Sequence, residues 1–280
     1  MTSDETRDFA LEIRRVICEM LAARGDGHVG GSLSIADALA VLFGGRLSQD
    51  DGLASYDRDW FVLSKGHAGP AYYATLMLAG KLGREHLDTL NANGTLLPSH
   101  PDRVRTPGVE VTTGSLGQGI SQAVGLAWAI RAQGGAGKVY CIVGDGEFEE
   151  GEVFEALQFA GGKRLDNFYM LLDHNRKQVD GLVSDVACDL DFRAILAACE
   201  FAVHEVDGNS VDELVHALDR CDTERGLAHA VVMHTVKGKG VPYFEEQENP
   251  HHVTFTPAEA EVLRTFVEGV SEGKESEVEA

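Results

Sequence analysis

The 280-residue chain carries 45 acidic against 24 basic side chains, a formal net charge of -21, with 44% hydrophobic and 25% charged residues. That composition suits a globular protein able to bury a sizeable core, and its negative balance excludes nucleic acid or an anionic membrane surface as a general partner, so any polyanion needs a local trap. Five cysteines (Cys18, Cys141, Cys188, Cys199, Cys221) without a Cys-x-x-Cys pair, a polar start and no run of 18 apolar residues point to a cytoplasmic protein with neither disulfide framework nor membrane span.

Residues 6–23 place Phe9, Ile13, Val16, Ile17, Met20 and Leu21 at helical spacing, and Arg24-Gly25 supplies a cationic last turn and a breaker. Ser34 precedes a second apolar helical series from Ile35 to Leu42. Residues 68–78 and 116–130 read as Gly- and Ala-rich helices suited to close packing. At residue 139 the texture changes: Val139-Tyr140-Cys141-Ile142-Val143 is a short apolar run ending at glycine, as expected of a strand covered on both faces of a parallel sheet, and Phe168-Tyr169-Met170-Leu171-Leu172 repeats it. Between them residues 149–160 read as a helix closed by Gly161-Gly162, so 139–172 form one βαβ unit. A strand at 201–206, a helix at 211–218 and a strand at 230–235 continue the alternation. The fold class is therefore α/β, three layers around a mainly parallel sheet, in one domain over residues 1–270 with an acidic tail at 271–280.

The βαβ unit carries the chemistry. Its first strand ends in Gly144-Asp145-Gly146 and its second in Asp173-His174-Asn175, and a right-handed crossover brings both tips to the carboxyl edge, where open α/β sheets bind ligands. One carboxylate and one amide carbonyl are hard oxygen donors suited to a partly hydrated Mg²⁺ whose remaining ligands come from phosphates. Gly146 admits close backbone approach, and a helix starting near Glu149 is expected to aim free N–H groups at the same place. The spacing of Gly144, Gly146 and Gly151 fits neither a dinucleotide fingerprint nor a P-loop. A second glycine cluster, Gly114-Ser115-Leu116-Gly117-Gln118-Gly119, opens a helix. Of eleven histidines, His28, His67, His100, His251 and His252 lie in Gly- or Pro-flanked segments, where polar side chains line sites, whereas His86, His204, His216 and His229 read as structural or solvated. No His-x-x-x-His or Cys/His cluster suggests zinc.

Taken in order, Gly-His at 27–28, Ser-Lys-Gly-His at 64–67, His-Pro at 100–101, Thr-Thr-Gly-Ser-Leu-Gly-Gln-Gly at 112–119, the Gly144-Asp145-Gly146 to Asn175 span and Thr-Val-Lys-Gly-Lys-Gly at 235–240 resemble the N-terminal, diphosphate-binding half of transketolase. The similarity runs from about residue 6 to 255, and the 144–175 span looks like the thiamine-diphosphate signature. The resemblance implies a thiamine-diphosphate PP-type fold. Asp145, Asn175 and the main-chain carbonyl of Lys177 would bind Mg²⁺. His67, Gly146 and His252 would touch the diphosphate, and Gly114, Ser115, Leu116 and Glu150 would line the cofactor. His28, His100 and His252 would face the substrate. In that family the cofactor's thiazolium carbanion attacks a ketose carbonyl and passes a two-carbon ketol unit to an aldose acceptor. Longer transketolases continue into a pyrimidine-binding domain, so the resemblance implies one subunit of a split enzyme that acts on sugars or sugar phosphates with a separate C-terminal subunit, as a heterotetramer. A 2-oxo acid dehydrogenase or decarboxylase subunit shares the 144–175 signature but not the upstream histidine segments, and a specialised-pathway ketol transferase is a further alternative. Val29, Lys177, His234 and the pair His251-His252 depart from the family's usual residues, and the pair leaves His251 as the alternative to His252 at the diphosphate.

Overall fold

The computed structural model describes residues 1–49 and 52–272. Its strands are β1 (Asp26–Gly27), β2 (Trp60–Leu63), β3 (Val139–Gly144), β4 (Phe168–His174), β5 (Lys177–Gln178), β6 (Gly181–Leu182), β7 (Phe201–Asp207), β8 (Ala228–His234) and β9 (Val253–Thr254). The helices are α1 (Ser3–Arg24), α2 (Gly30–Leu33), α3 (Ala36–Val41), α4 (Gly69–Leu78), α5 (Gln118–Ala132), α6 (Gly151–Gly162), α7 (Val183–Val186), α8 (Phe192–Ala198), α9 (Val211–Thr223), α10 (Pro242–Glu246) and α11 (Pro257–Ser271). Of the expected acidic tail, Ser271 closes α11 and Glu272 caps it, and 273–280 lie outside the described residues.

Five parallel strands form the central sheet in the order β2-β3-β4-β8-β7. All six residues of β3 are buried, which is why the sequence shows an unbroken apolar run there rather than alternation. Successive side chains still go to opposite faces. Tyr140, Ile142, Tyr169, Leu171, Val231 and Met233 meet α1, α3, α4, α9 and α11, while Cys141, Val143, Met170, Leu172, Ala230 and Val232 meet α5, α6 and α8. The result is the expected three-layer α/β arrangement.

Local chemistry sets the helix ends. Thr2 and Glu5 form a capping box at the start of α1, and Gly25, at φ 86°, closes it by donating its N–H to the Leu21 carbonyl. Ser34 does not cap the series after it: α2 ends at Ser34, and its hydroxyl donates to Asp173 instead. The helix expected from Glu149 begins at Gly151, because a 3₁₀ turn at Glu147–Glu149 comes first and returns the Phe148 and Glu149 amides to the Asp145 and Gly146 carbonyls. These N–H groups are therefore engaged within the turn.

Two short ladders frame the sheet's carboxyl edge. β1 pairs with β9, Gly27 opposite Val253, which sets His28 beside His252, and β5 pairs with β6 just beyond Asn175. At the other end of α6, a methyl group on Gly161 would lie 1.7 Å from the Cys199 carbonyl oxygen. Gly161→Ala should therefore force the helix off the turn before β7 and lower unfolding stability by about 2–3 kcal/mol, read from the urea midpoint. An unchanged midpoint would show that this contact does not fix the layer.

Candidate active site

Because β2, β3, β4 and β8 are parallel, the residues that follow them all emerge on one edge. Lys65 and His67 follow β2, Asp145 and Gly146 follow β3, Asn175 follows β4, and Thr235 and Lys237 follow β8. Gly144 pairs with Asp173 in register and the Asp145 N–H donates to the Asp173 carbonyl (3.2 Å), so the two strand tips are neighbours. Asp145 and Asn175 line one cavity, with about 470 Å³ of empty space, together with Gly31, Lys65, His67, Leu116, Gly144, Gly146, Glu147, Lys177, Gln178, Val179, Lys237 and His251.

Asp173 organises this edge from beneath. It is fully buried, and its Oδ2 accepts from Lys65 Nζ (2.5 Å), Ser34 Oγ (2.8 Å) and Asn175 Nδ2 (2.9 Å), while Oδ1 accepts from the Thr235 hydroxyl. Burial works to raise this carboxyl, but Lys65 and the other donors outweigh it and hold the group below its ordinary range. Lys65, 1% exposed, also donates to the Gly31 carbonyl (2.9 Å). Since the Asn175 amide nitrogen is committed to Asp173, its Oδ1 is left as the outward acceptor, where it takes the Lys177 N–H (3.1 Å).

Asp145 accepts from the Gly146 N–H (2.9 Å) at Oδ1 and the Arg176 N–H (2.5 Å) at Oδ2. Burial, with Asp173 nearby, pushes its carboxyl up to about 7. A group so placed gains from a divalent cation, and each of its oxygens keeps a further lone pair. Glu147 joins three segments: its buried carboxylate accepts from Ser64 Oγ (2.5 Å), the Gly117 N–H (3.0 Å) and the Gly144 N–H (3.0 Å), and burial raises it above the ordinary range.

A metal fits the donor chemistry: one carboxylate at Asp145, one amide oxygen at Asn175 and one main-chain carbonyl at Lys177, all hard oxygens around one cavity. No group of three His, Cys, Asp or Glu among the described residues could hold a metal by itself, so further ligands would have to come from a bound anion or water. Lys65 and His67, two groups able to meet an anion, line the same cavity and close tightly on Gly31, where a methyl group would sit only 3.2 Å from Lys65 Nζ and 3.3 Å from His67 Nε2.

The five histidines singled out in the sequence do converge. The His28 ring lies 4.6 Å from His252, 5.4 Å from His67 and from His251, and 6.2 Å from His100, and His67 lies 4.8 Å from His251. Burial favours the neutral form of four of these rings: it takes His28 down to about 4 and His251 to about 3, and lowers His67 and His100 as well. Four of the five divide between two hollows, and His100 lines neither. His67 and His251 line the first cavity, whereas His28 and His252 line a second with Asp26, Asn91 and Ser99. Of the pair, His251 rather than His252, the one assigned to the diphosphate from the sequence, lines the cavity that also holds Asp145.

His67, Leu116, Asp145, Gly146, Asn175 and Lys177, to which the resemblance gives metal or cofactor roles, all line the first cavity. Gly114 stands apart from it, against the His100 ring at 3.1 Å from where a Cβ would be, and Ser115 and Glu150 are exposed outside it. Lys65, Lys237 and Asp173 were not given roles by sequence reasoning. Their signal was available, since two lysines in glycine-flanked segments stand out in so acidic a chain, and each lies in a segment already noted for its resemblance. Lys237 is 3% exposed, donates to the Lys177 carbonyl (2.6 Å) and lies 3.0 Å from His251 Nδ1, and burial together with Lys65 takes its ammonium down to about 7.

Residues 6–273 match a family model described as the thiamine diphosphate binding domain of transketolase. The chain is 42% identical over 245 residues to the 6-deoxy-6-sulfo-D-fructose transketolase subunit SqwG of Clostridium sp. (strain MSTE9), covering 87% of this chain and 89% of that one. It is 35% identical over 254 residues to an apulose-4-phosphate transketolase subunit of Actinobacillus succinogenes, covering 90% and 92%. Among solved structures, transketolase from Campylobacter jejuni superposes with a TM-score of 0.88 at 30% identity over 97% of this chain, which spans only 43% of that longer protein.

Two outcomes test the electrostatics of this edge. Lys65→Met leaves the Asp173 carboxylate buried without its cation and should cost about 3–5 kcal/mol of unfolding stability, while Lys65→Met with Asp173→Asn should recover part of it; a single variant as stable as the parent would contradict the pairing. For His28, the folded chain resists a proton that the unfolded chain accepts near pH 6.5, so stability falls as pH drops from 6.5 toward about 4. Buried carboxylates such as Asp145 titrate in the opposite sense, so the measurement is a difference. Between pH 7 and 5 the urea midpoint of the parent should fall relative to that of His28→Asn, and parallel curves would remove the effect.

Proposed function

The chain belongs to the transketolase family, and on that premise we propose that it is the diphosphate-binding subunit of a two-chain transketolase, moving a two-carbon ketol unit from a ketose to an aldose acceptor. The observation that carries this reading is the convergence of Asp145, Asn175 and the Lys177 carbonyl with His67, Leu116 and Gly146 around one cavity. Thiamine diphosphate, when bound, supplies the nucleophilic carbon for cleaving and making the carbon–carbon bond.

In this reading Asp145, Asn175 and the Lys177 carbonyl hold Mg²⁺, and His67, His251 and the Gly146 backbone hold the diphosphate, with His251 taking the place first given to His252. Leu116 packs along the cofactor, Gly114 admits the His100 ring, and Ser115 and Glu150 stand at the exposed margin that a pyrimidine-binding partner would cover. His28, His100 and His252 face the sugar. Imidazole suits that task, because one ring nitrogen can donate to a hydroxyl or carbonyl oxygen while the other accepts from a hydroxyl. Among the described residues, the second cavity is lined by Asp26, Asn91 and Ser99 and by no lysine or arginine. This subunit therefore reads hydroxyl groups, and the anionic end of a sugar phosphate or sulfonate would fall to the partner.

Relatives that are named as subunits and are matched over 89% and 92% of their own length support a two-chain enzyme. We take the working form as a cytoplasmic heterotetramer, with residues 1–270 as one PP-type domain. No helix among the described residues is long and apolar enough to cross a membrane. The 2-oxo acid dehydrogenase or decarboxylase reading is disfavoured by the family match.

With its partner subunit the chain should convert a ketose phosphate and an aldose in the presence of Mg²⁺ and thiamine diphosphate, and should show less than about 1% of that turnover alone. Asp145→Ala should abolish Mg²⁺-dependent cofactor binding in the complex. His28→Ala and His100→Ala should leave cofactor affinity within about twofold and lower kcat by roughly 10²-fold or more. Turnover of a 2-oxo acid but not of a ketose would overturn the assignment.

A further inference from the structure

We propose that, in the chain without diphosphate, the Lys237 ammonium competes with the metal for the Lys177 carbonyl, so that metal and diphosphate bind cooperatively through the displacement of this one side chain. The inference rests on the metal reading above and concerns the step before the site is loaded.

All three oxygen-donor groups assigned to the metal are engaged internally, but not alike. Asp145 accepts only main-chain N–H groups, at 2.9 and 2.5 Å, and the Asn175 Oδ1 accepts only the Lys177 N–H at 3.1 Å. Neutral donors of this kind leave lone pairs on each oxygen and bring no net charge, so they do not repel a cation. The Lys177 carbonyl differs, because its partner is an ammonium at 2.6 Å. A divalent ion on that oxygen would meet a positive charge at hydrogen-bonding distance in a buried setting, where screening by solvent is weak.

Lys237 is also the cation that can leave. Lys65, the other buried lysine of the edge, is held by the Asp173 carboxylate and the Gly31 carbonyl. Lys237 has no carboxylate partner among the described residues and is bonded to a neutral carbonyl and an imidazole. An anion entering the cavity beside it offers the ammonium stronger, charge-assisted bonds than it has now. Moving to that anion frees the carbonyl, and by linkage whatever factor the diphosphate adds to metal affinity the metal returns to diphosphate affinity.

The test uses the full chain with Mn²⁺ alone as the probe, its binding read by electron paramagnetic resonance in the absence of any phosphate. Lys237→Met should bind Mn²⁺ about tenfold more tightly than the parent, and adding Asp145→Asn to it should remove that binding. Lys237→Gln, which keeps a donor without the charge, should behave like Lys237→Met and carries the test if the methionine variant does not fold. Equal Mn²⁺ affinities in the parent and both variants, while the complex still binds thiamine diphosphate with Mg²⁺, would overturn this inference alone. Failure of the complex to bind thiamine diphosphate at all would overturn the functional reading beneath it.

Discussion

Everything at the carboxyl edge hangs on the buried pair between Lys65 and Asp173. The two side chains belong to segments at the ends of β2 and β4, strands separated in the sheet by β3, and neither is accessible to water. An ion pair so deep forgoes hydration on both sides, which only good geometry and further hydrogen bonds can offset. Here Ser34, Asn175 and Thr235 supply those bonds, and in doing so they tie the turn after α2 and the strand tips of β4 and β8 to one carboxylate. The pair is thus a positional device. By engaging the Asn175 amide nitrogen it decides which end of that amide faces the cavity, and so makes it an oxygen donor.

A chain with a net charge of -21 can hold a polyanion only if the local charge differs from the global one. The edge differs in this way, with two buried lysines and with His28 and His251 shifted by burial toward the neutral form, while Asp173 is matched by Lys65 and Asp145 has no cationic hydrogen-bond partner among the described residues. The division of histidines follows from backbone pairing: the β1–β9 ladder brings His28 and His252 together on the side of the second hollow, and His251, one residue earlier, turns to the side of Asp145.

Much of this is legible in the sequence because parallel strands announce themselves. The runs ending at Gly144 and Leu172 are unbroken and apolar because both faces are covered, and their order alone puts Asp145 and Asn175 on the same rim. β2 is not legible, as Trp60-Phe61-Val62-Leu63 is too short to tell from any apolar tetrapeptide, and with it goes the placement of Lys65. The last helix carries a capping box at Thr256 and Glu259, a signal that sequence reasoning passed over. The choice between His251 and His252 has no such signal, because both fall in the bend just before β9, and which of them faces which hollow is set by the path of that bend rather than by any periodicity in the sequence.

On this reading the tips of β3 and β4, set by Asp173, hold the metal of a bound diphosphate. Anomalous diffraction from crystals of the two-chain complex grown with Mn²⁺ and thiamine diphosphate is the decisive measurement. One strong peak per copy of this chain is expected, within bonding distance of the Asp145 carboxylate, the Asn175 Oδ1 and the Lys177 carbonyl. A diphosphate bound elsewhere, or a peak that none of these three oxygens touches, would contradict it.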